Sequence, residues 1–444
     1  MKVRSVERSV LIKVSLLFIT LHTLFILILG NITAFAPDES GYAEIFGRLY
    51  RSDFSFEGQG GWASGNVTFL RILYFPAKVF SILGCSDLIS VRLLSLICGY
   101  LAFYLLLKHI NEPVLLRIHS SWFLVIAFFT PSIFVWTSLG LRESFIFLWL
   151  VAIFNYVTEA LKSPSLRNFS LLTLSSTALC LTKDYLYMFV LISFLSTVFL
   201  LWIFKDKFIR SYLKVIAFFL LPLLFFPSIT SGFIKSGHGL ILAKMVSTTE
   251  VELGTETGTE TGTSLVAARG QTLHALVSQL EGNHFLSWLA SSTGIQGLLE
   301  AKAKASYIPA NSEEVVNNSN QLRAEPASLR QPMTLVKSSA RFLFVPIPFK
   351  DNGSFFLNLQ SYESPIWYLF YTLLLVIVFG LLRGKVRRDF TTIFACIFSI
   401  LFVIESSLVE VNVGTSIRHR SVLMIGILVA IVNQRRTKPD SHVK

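Results

Sequence analysis

The chain has 444 residues, 53% of them apolar and only 15% charged, with a formal net charge of +12. A soluble domain of this size carries far more charge on its surface. Its basic residues stand in short clusters between apolar runs, with no basic tract interleaved with aromatics, which argues against nucleic acid as a partner.

Most of the apolar runs are about 18–22 residues long, enough to cross a hydrocarbon core of roughly 30 Å, and the fifth and last are shorter. In chain order they predict about ten transmembrane helices, at 10–31, 87–108, 118–137, 144–161, 169–182, 185–204, 211–230, 364–382, 390–408 and 420–434. The first follows Lys2, Arg4 and Arg8, exceeds a signal-peptide core in length and lacks a small-residue cleavage pattern, so it reads as a retained helix. The expected fold is an all-α polytopic membrane protein in three parts. These are an N-terminal module at 1–230 with an outer loop at 32–86, a large outer region at 231–363, and a C-terminal module at 364–444.

Charge orients the spans. With the N-terminus in the cytoplasm, the inner side receives Lys108 and Arg117, Lys162 and Arg167, and Lys205, Lys207 and Arg210. It also receives Arg383, Lys385, Arg387 and Arg388, and finally Arg435, Arg436 and Lys438, as the positive-inside rule requires. An even number of spans returns the C-terminus to the cytoplasm, giving a multi-pass plasma-membrane protein. Cys85, Cys98, Cys180 and Cys396 have neither metal-ligand nor redox spacing and read as small hydrophobes.

The outer region at 231–363 holds a Gly-Thr-Glu-Thr repeat at 254–263, read as a flexible loop, and a helical apolar pattern at 265–280, read as an interfacial helix. His238, His274 and His284 there do not form a metal-ligand spacing. Asn66, Asn317 and Asn352 begin glycosylation sequons on the same side.

Four motifs fall at outer span ends. They are Pro37-Asp38-Glu39-Ser40-Gly41-Tyr42-Ala43-Glu44, the stretch from Pro131 through Trp136 to Arg142-Glu143, Lys183-Asp184-Tyr185, and Gly414-Thr415 through Arg418-His419-Arg420. Singly, each also fits a structural role: a cap for a helix at 41–50, a helix-end ion pair, or an interfacial anchor. Together they set carboxylates and cations on the membrane side where cations are disfavoured. Such a set suits cations that bind a lipid-linked phosphate and a carboxylate that takes a proton from an incoming hydroxyl.

The Asp38-Glu39 pair after the first span, followed by Tyr42 and an amphipathic helix, resembles the catalytic loop of the GT-C membrane glycosyltransferases. That family includes the protein O-mannosyltransferases and the lipid A aminoarabinose transferase. The Pro131 to Glu143 pattern, Phe344-Val345-Pro346-Ile347-Pro348 and Gly414 to Arg420 are similar to stretches of bacterial surface-polysaccharide glycosyltransferases. The resemblance implies hexosyl or pentosyl transfer from a polyprenyl-phosphate-linked donor to a glycan, lipid or protein hydroxyl, on the extracytoplasmic face. It makes Asp38 the base, with Glu39 assisting or, with Asp38, holding a divalent metal ion; no other cofactor is implied. Arg142, Lys183, Arg418 and Arg420 become the phosphate cations, with Tyr42, Glu143, Asp184 and His419 completing the substrate site. The competing readings are a polymerase or ligase using polyprenyl-diphosphate-linked glycans, a lipid or glycan transporter, and a non-catalytic scaffold. A transporter is expected to show internal repeats and broken helices meeting at the bilayer midplane; no such repeat is evident, and the charged groups cluster at the outer span ends.

Overall fold

The computed structural model is all-helical among its described residues, with 88% of them in helices and none in strands. Those residues are 3–30, 37–50, 76, 78–80, 82–108, 120–203, 209–225, 332–348, 360–384, 386, 389–409 and 413–433. The repeat at 254–263, the stretch at 265–280, the three outer histidines and the three sequons lie outside them.

The main helices among the described residues are α1 (Val3–Leu29), α2 (Pro37–Tyr50), α3 (Asp87–Lys108), α4 (Ser120–Phe128), α5 (Pro131–Ser138), α6 (Glu143–Lys162) and α7 (Leu166–Thr182). There follow α8 (Asp184–Ile203), α9 (Ile209–Phe225), α10 (Pro332–Phe344), α11 (Ser364–Leu382), α12 (Phe390–Val409) and α13 (Val413–Val432). Six of them are long and apolar enough to cross a membrane: α1, α3, α6, α8, α11 and α12.

The other expected spans take different forms. The run at 118–137 is two short helices, because Pro131 has no N–H to continue α4 and instead opens α5 at its first turn, after Thr130. The runs at 169–182 and 211–230 are 17-residue helices, the second with Pro222 inside it. At the last expected span, helix α13 begins at Val413 rather than 420, so Arg418, His419 and Arg420 sit on the helix instead of in the loop before it.

Burial sorts the helices into an inner and an outer set. In α12, 72% of the apolar window is buried, and in α6 67%, against 28% in α1. Leu16, Leu24 and Leu27 on α1, Phe199 and Trp202 on α8, and Leu375, Phe379 and Leu382 on α11 are more than half exposed. Large apolar side chains turned outward on several helices are what a lipid-facing surface requires, and they suit a multi-pass membrane protein.

Inside, α6 packs against α3 and α7, and α12 packs against α8 and α13. Hydrocarbon offers no hydrophobic drive between helices, so close packing of small residues does this work. At the α12–α13 contact, a Cβ on Gly426 would meet Ser399 Oγ at 2.6 Å and the Phe398 ring at 2.9 Å. Polar staples add to this: His22 on α1 links the Phe18 carbonyl at 2.8 Å to Thr137 Oγ1 on α5 at 2.9 Å.

Chain direction determines which ends meet. The end of α1, the starts of α2, α3, α6, α8 and α13, and the end of α12 converge at one end of the bundle. The polar groups concentrate there.

Candidate active site

The site begins at the first turn of α2. Pro37 opens that helix, which places Asp38 and Glu39 in its first turn, where acidic residues suit the helix dipole. Glu39 is fully buried and accepts from Arg92 Nε at 2.6 Å and Arg92 Nη2 at 2.8 Å, a bidentate pair. Arg92 also donates to the Gly30 carbonyl at the end of α1, at 2.6 Å. Glu39 Oε1 further accepts the Gly140 N–H at 2.6 Å. One carboxylate therefore ties α2 and α3 to the turn between α5 and α6.

The expected role of Glu39 changes accordingly. Both of its oxygens are engaged, so it is a positioning residue for that turn and a poor ligand for a metal ion. Among the described residues, no group of three or more His, Cys, Asp or Glu comes together to hold a metal. Asp38 shares the same turn of α2, but its side chain lies outside the described residues. Tyr42, one turn on, is buried in the core between α2 and its neighbours.

The turn held by Glu39 runs on through Leu141, whose carbonyl accepts from Ser95 Oγ at 3.1 Å, into Arg142 and Glu143 at the start of α6. Glu143 is buried and forms an ion pair with Arg418 of α13. The Arg418 guanidinium also lies over the Trp136 ring, 5.9 Å from its centroid. Glu143 Oε2 and the Trp136 indole N–H are buried with no hydrogen-bond partner among the described residues.

Lys183 is the single residue between α7 and α8. Its N–H closes α7 on the Leu179 carbonyl at 2.7 Å, and its carbonyl accepts the Leu186 N–H at 3.2 Å as α8 begins. This tight link fixes Lys183 at the tip of the helix pair. Its Nζ lies 2.9 Å from His419 Nε2 and 4.8 Å from the centre of the Tyr185 ring, with Tyr185 Oη 3.5 Å from the same imidazole nitrogen. Burial, then the Arg142 guanidinium beside it, pull the Lys183 ammonium from its ordinary 10.5 down to about 7; Glu143 and Glu405 act the other way. Asp184 opens α8, and its side chain lies outside the described residues.

Arg142, Glu143, Lys183, Arg418 and His419 thus form one cluster at the junction of α6, α7, α8 and α13. Arg420 does not join it. Arg420 is buried on another side of α13, donates to the Val345 carbonyl after α10, and faces Tyr368, Tyr371 and Glu363. The Phe344 to Pro348 motif therefore serves as a dock for Arg420, and Ser364 Oγ donates to Pro346 at 2.8 Å beside it. Glu363 accepts the Ser132 N–H at 2.9 Å and Ser132 Oγ at 2.8 Å, capping α5 from across the bundle. Burial pushes the Glu363 carboxyl above its usual range, against the pull of the Ser132 hydrogen bonds and Arg420.

The chain matches no family model, no curated protein and no solved structure.

Arg92, Glu405 and Glu363 escaped the sequence reading. Arg92 and Glu405 lie within apolar runs, and an ionisable residue inside a span was the available signal. Glu363 precedes α11 with nothing local to mark its partner 231 positions away.

Chemically, the cluster offers two guanidinium groups, an amine, an imidazole and helix N-termini. It suits an anion with several oxygens, as a phosphate has. Glu143 Oε2 and the Trp136 N–H add one acceptor and one donor for a hydroxyl-bearing group beside that anion.

Proposed function

We propose that this chain is a membrane glycosyltransferase of GT-C type. It moves a sugar from a polyprenyl-phosphate-linked donor to an acceptor hydroxyl of a glycan, lipid or protein in cell-surface glycan synthesis. About ten spans cross the plasma membrane, both termini are cytoplasmic, and the reaction runs on the extracytoplasmic face. The observation that carries this reading is the gathering of buried Lys183 and His419 with half-buried Arg142 and Arg418 around the buried Glu143 at one end of an apolar helix bundle. Buried cations in a membrane protein are costly and mark a site for a charged ligand.

In the proposed reaction the acceptor oxygen attacks the anomeric carbon, and the new C–O bond forms as the bond from that carbon to the phosphate oxygen breaks. Asp38 takes the hydroxyl proton. The departing polyprenyl phosphate keeps the bonding electron pair, and Arg142, Arg418 and Lys183 stabilise its growing charge. Glu143 Oε2 and the Trp136 N–H hold hydroxyls of the sugar. Glu39 and Arg92 act at a distance, by fixing the turn that presents Arg142.

A polymerase or ligase using polyprenyl-diphosphate-linked glycans is the second reading. It is favoured by the engagement of Glu39 with Arg92, since it needs no acidic pair after the first span.

Purified protein in nanodiscs, given a panel of polyprenyl-phosphate sugars and acceptors, separates these readings. Release of polyprenyl phosphate coupled to acceptor glycosylation is expected, with Asp38→Asn reducing it on the order of 100-fold or more. Full activity in Asp38→Asn points to the ligase, and no turnover across the panel removes the enzyme reading.

A further inference from the structure

Lys183 and His419 are two bases placed nitrogen to nitrogen at 2.9 Å, both buried, in a cluster that already contains two guanidinium groups. The groups facing the pair are Arg142 ahead of α6, Glu143 on α6, Tyr185 on α8, Glu405 on α12, and Arg418 on α13. Counted as charges, two arginines face two glutamates, and the pair decides whether the cluster is neutral or carries one extra positive charge. His419 Nε2 accepts from Lys183 only when that nitrogen bears no proton, so the geometry allows the pair one exchangeable proton beyond its neutral state.

We infer that the Arg142–Lys183–Arg418–His419 cluster binds a phosphate-class anion together with one proton, which the Lys183–His419 pair takes up as the anion enters. This rests on the anion-binding part of the proposed function and is independent of sugar transfer.

In the empty site the third cation is disfavoured by burial and by Arg142, which is why the Lys183 ammonium is held near 7. A bound anion adds the missing negative charge a few ångströms away and favours the charged amine again. Binding and protonation then assist each other and are linked in both directions. Below about pH 6 the pair is already protonated, and binding takes up no proton. Above about pH 8 each anion brings up to one proton, and the apparent Kd weakens by up to about tenfold per pH unit until the pKa of the occupied site is passed.

The test uses the full-length protein in nanodiscs of zwitterionic lipid, so that no anionic headgroup competes. The probe is dodecyl methyl phosphate, a phosphodiester whose single charge does not titrate across this range. Calorimetry in two buffers of different ionisation heat counts the protons taken up. The expected result at pH about 8 is an uptake between one half and one proton per site, falling toward zero at pH about 6. Lys183→Arg keeps the charge and cannot give up its proton. It is expected to bind with a Kd independent of pH and with no proton uptake. Lys183→Met is expected to weaken binding at acidic pH down to the wild-type alkaline level.

Binding by the wild type without proton uptake at pH about 8 overturns the inference while leaving the anion site intact. Wild-type uptake persisting in Lys183→Arg assigns the proton elsewhere and also overturns it. Failure of the probe to bind at any pH overturns the inference and, with it, the phosphate-holding role of the cluster. Loss of sugar transfer with proton-coupled binding intact counts against the enzyme reading alone.

Discussion

The Glu39–Arg92 pair joins α2 to α3 beside the site, and its strength follows from its geometry. Both side chains are fully buried, and the contact is bidentate at 2.6 and 2.8 Å. Replacing Glu39 with Met leaves the guanidinium of Arg92 without its counter-charge, and Arg92→Met does the same to the carboxylate; each is expected to cost about 3–5 kcal/mol. The double variant removes both charges, and its main remaining loss is the acceptor for the buried Gly140 N–H, about 1–3 kcal/mol. The two single losses therefore sum to about 6–10 kcal/mol, while the double variant falls well short of that, a coupling of at least about 3 kcal/mol. SDS-driven unfolding in mixed micelles, followed by tryptophan fluorescence, measures all four proteins. A double variant as unstable as the sum of the two singles would refute the reasoning.

Other consequences follow from the same contacts. Gly140→Ala adds a Cβ at 2.9 Å from Val91 Cγ1 and 3.2 Å from Glu39 Oε1, so the same unfolding assay is expected to show a loss of about 1–3 kcal/mol. Ser132→Ala removes the hydroxyl that Glu363 accepts from, and is expected to cost about 1 kcal/mol with transfer activity unchanged. Arg418→Lys keeps the charge but loses the planar fork that meets Glu143 and covers Trp136, and transfer is expected to fall on the order of tenfold with folding retained by circular dichroism.

Periodicity and hydropathy made part of this molecule legible. The runs at 87–108, 144–161, 364–382 and 390–408 match α3, α6, α11 and α12 to within a residue or so at each end. In a bilayer the length of an apolar stretch is set by the hydrocarbon thickness, which is why those spans read directly from the sequence. The start of α13 did not. Arg418, His419 and Arg420 depress the local hydropathy, yet they sit on a helix because their polar groups find partners in Glu143, Lys183 and the Val345 carbonyl. These partners come from distant parts of the chain. The break at Pro131 was visible as a residue, but a window average hid it within an apolar run. Positive-inside reasoning brought Arg142, Glu143, Lys183, Arg418 and His419 into view as outer-end charges. It could not distinguish Arg420, which turns to the other side of the same helix. Nor could it show that Glu39 is consumed by Arg92, because Arg92 lies within a span and its choice of partner depends on which helices are neighbours.

In the proposed function, the cation cluster at one end of the bundle holds the phosphate of a polyprenyl-linked donor. A polyprenyl phosphate carrying a diazirine beside the phosphate, cross-linked to the purified protein and mapped by mass spectrometry, tests this most directly. Adducts are expected at Trp136 to Glu143, Lys183 to Tyr185 and Ile417 to His419, competed away by unlabelled polyprenyl phosphate. Competable adducts confined to the opposite end of the bundle, around Lys162 and Arg383, would place the phosphate away from the cluster.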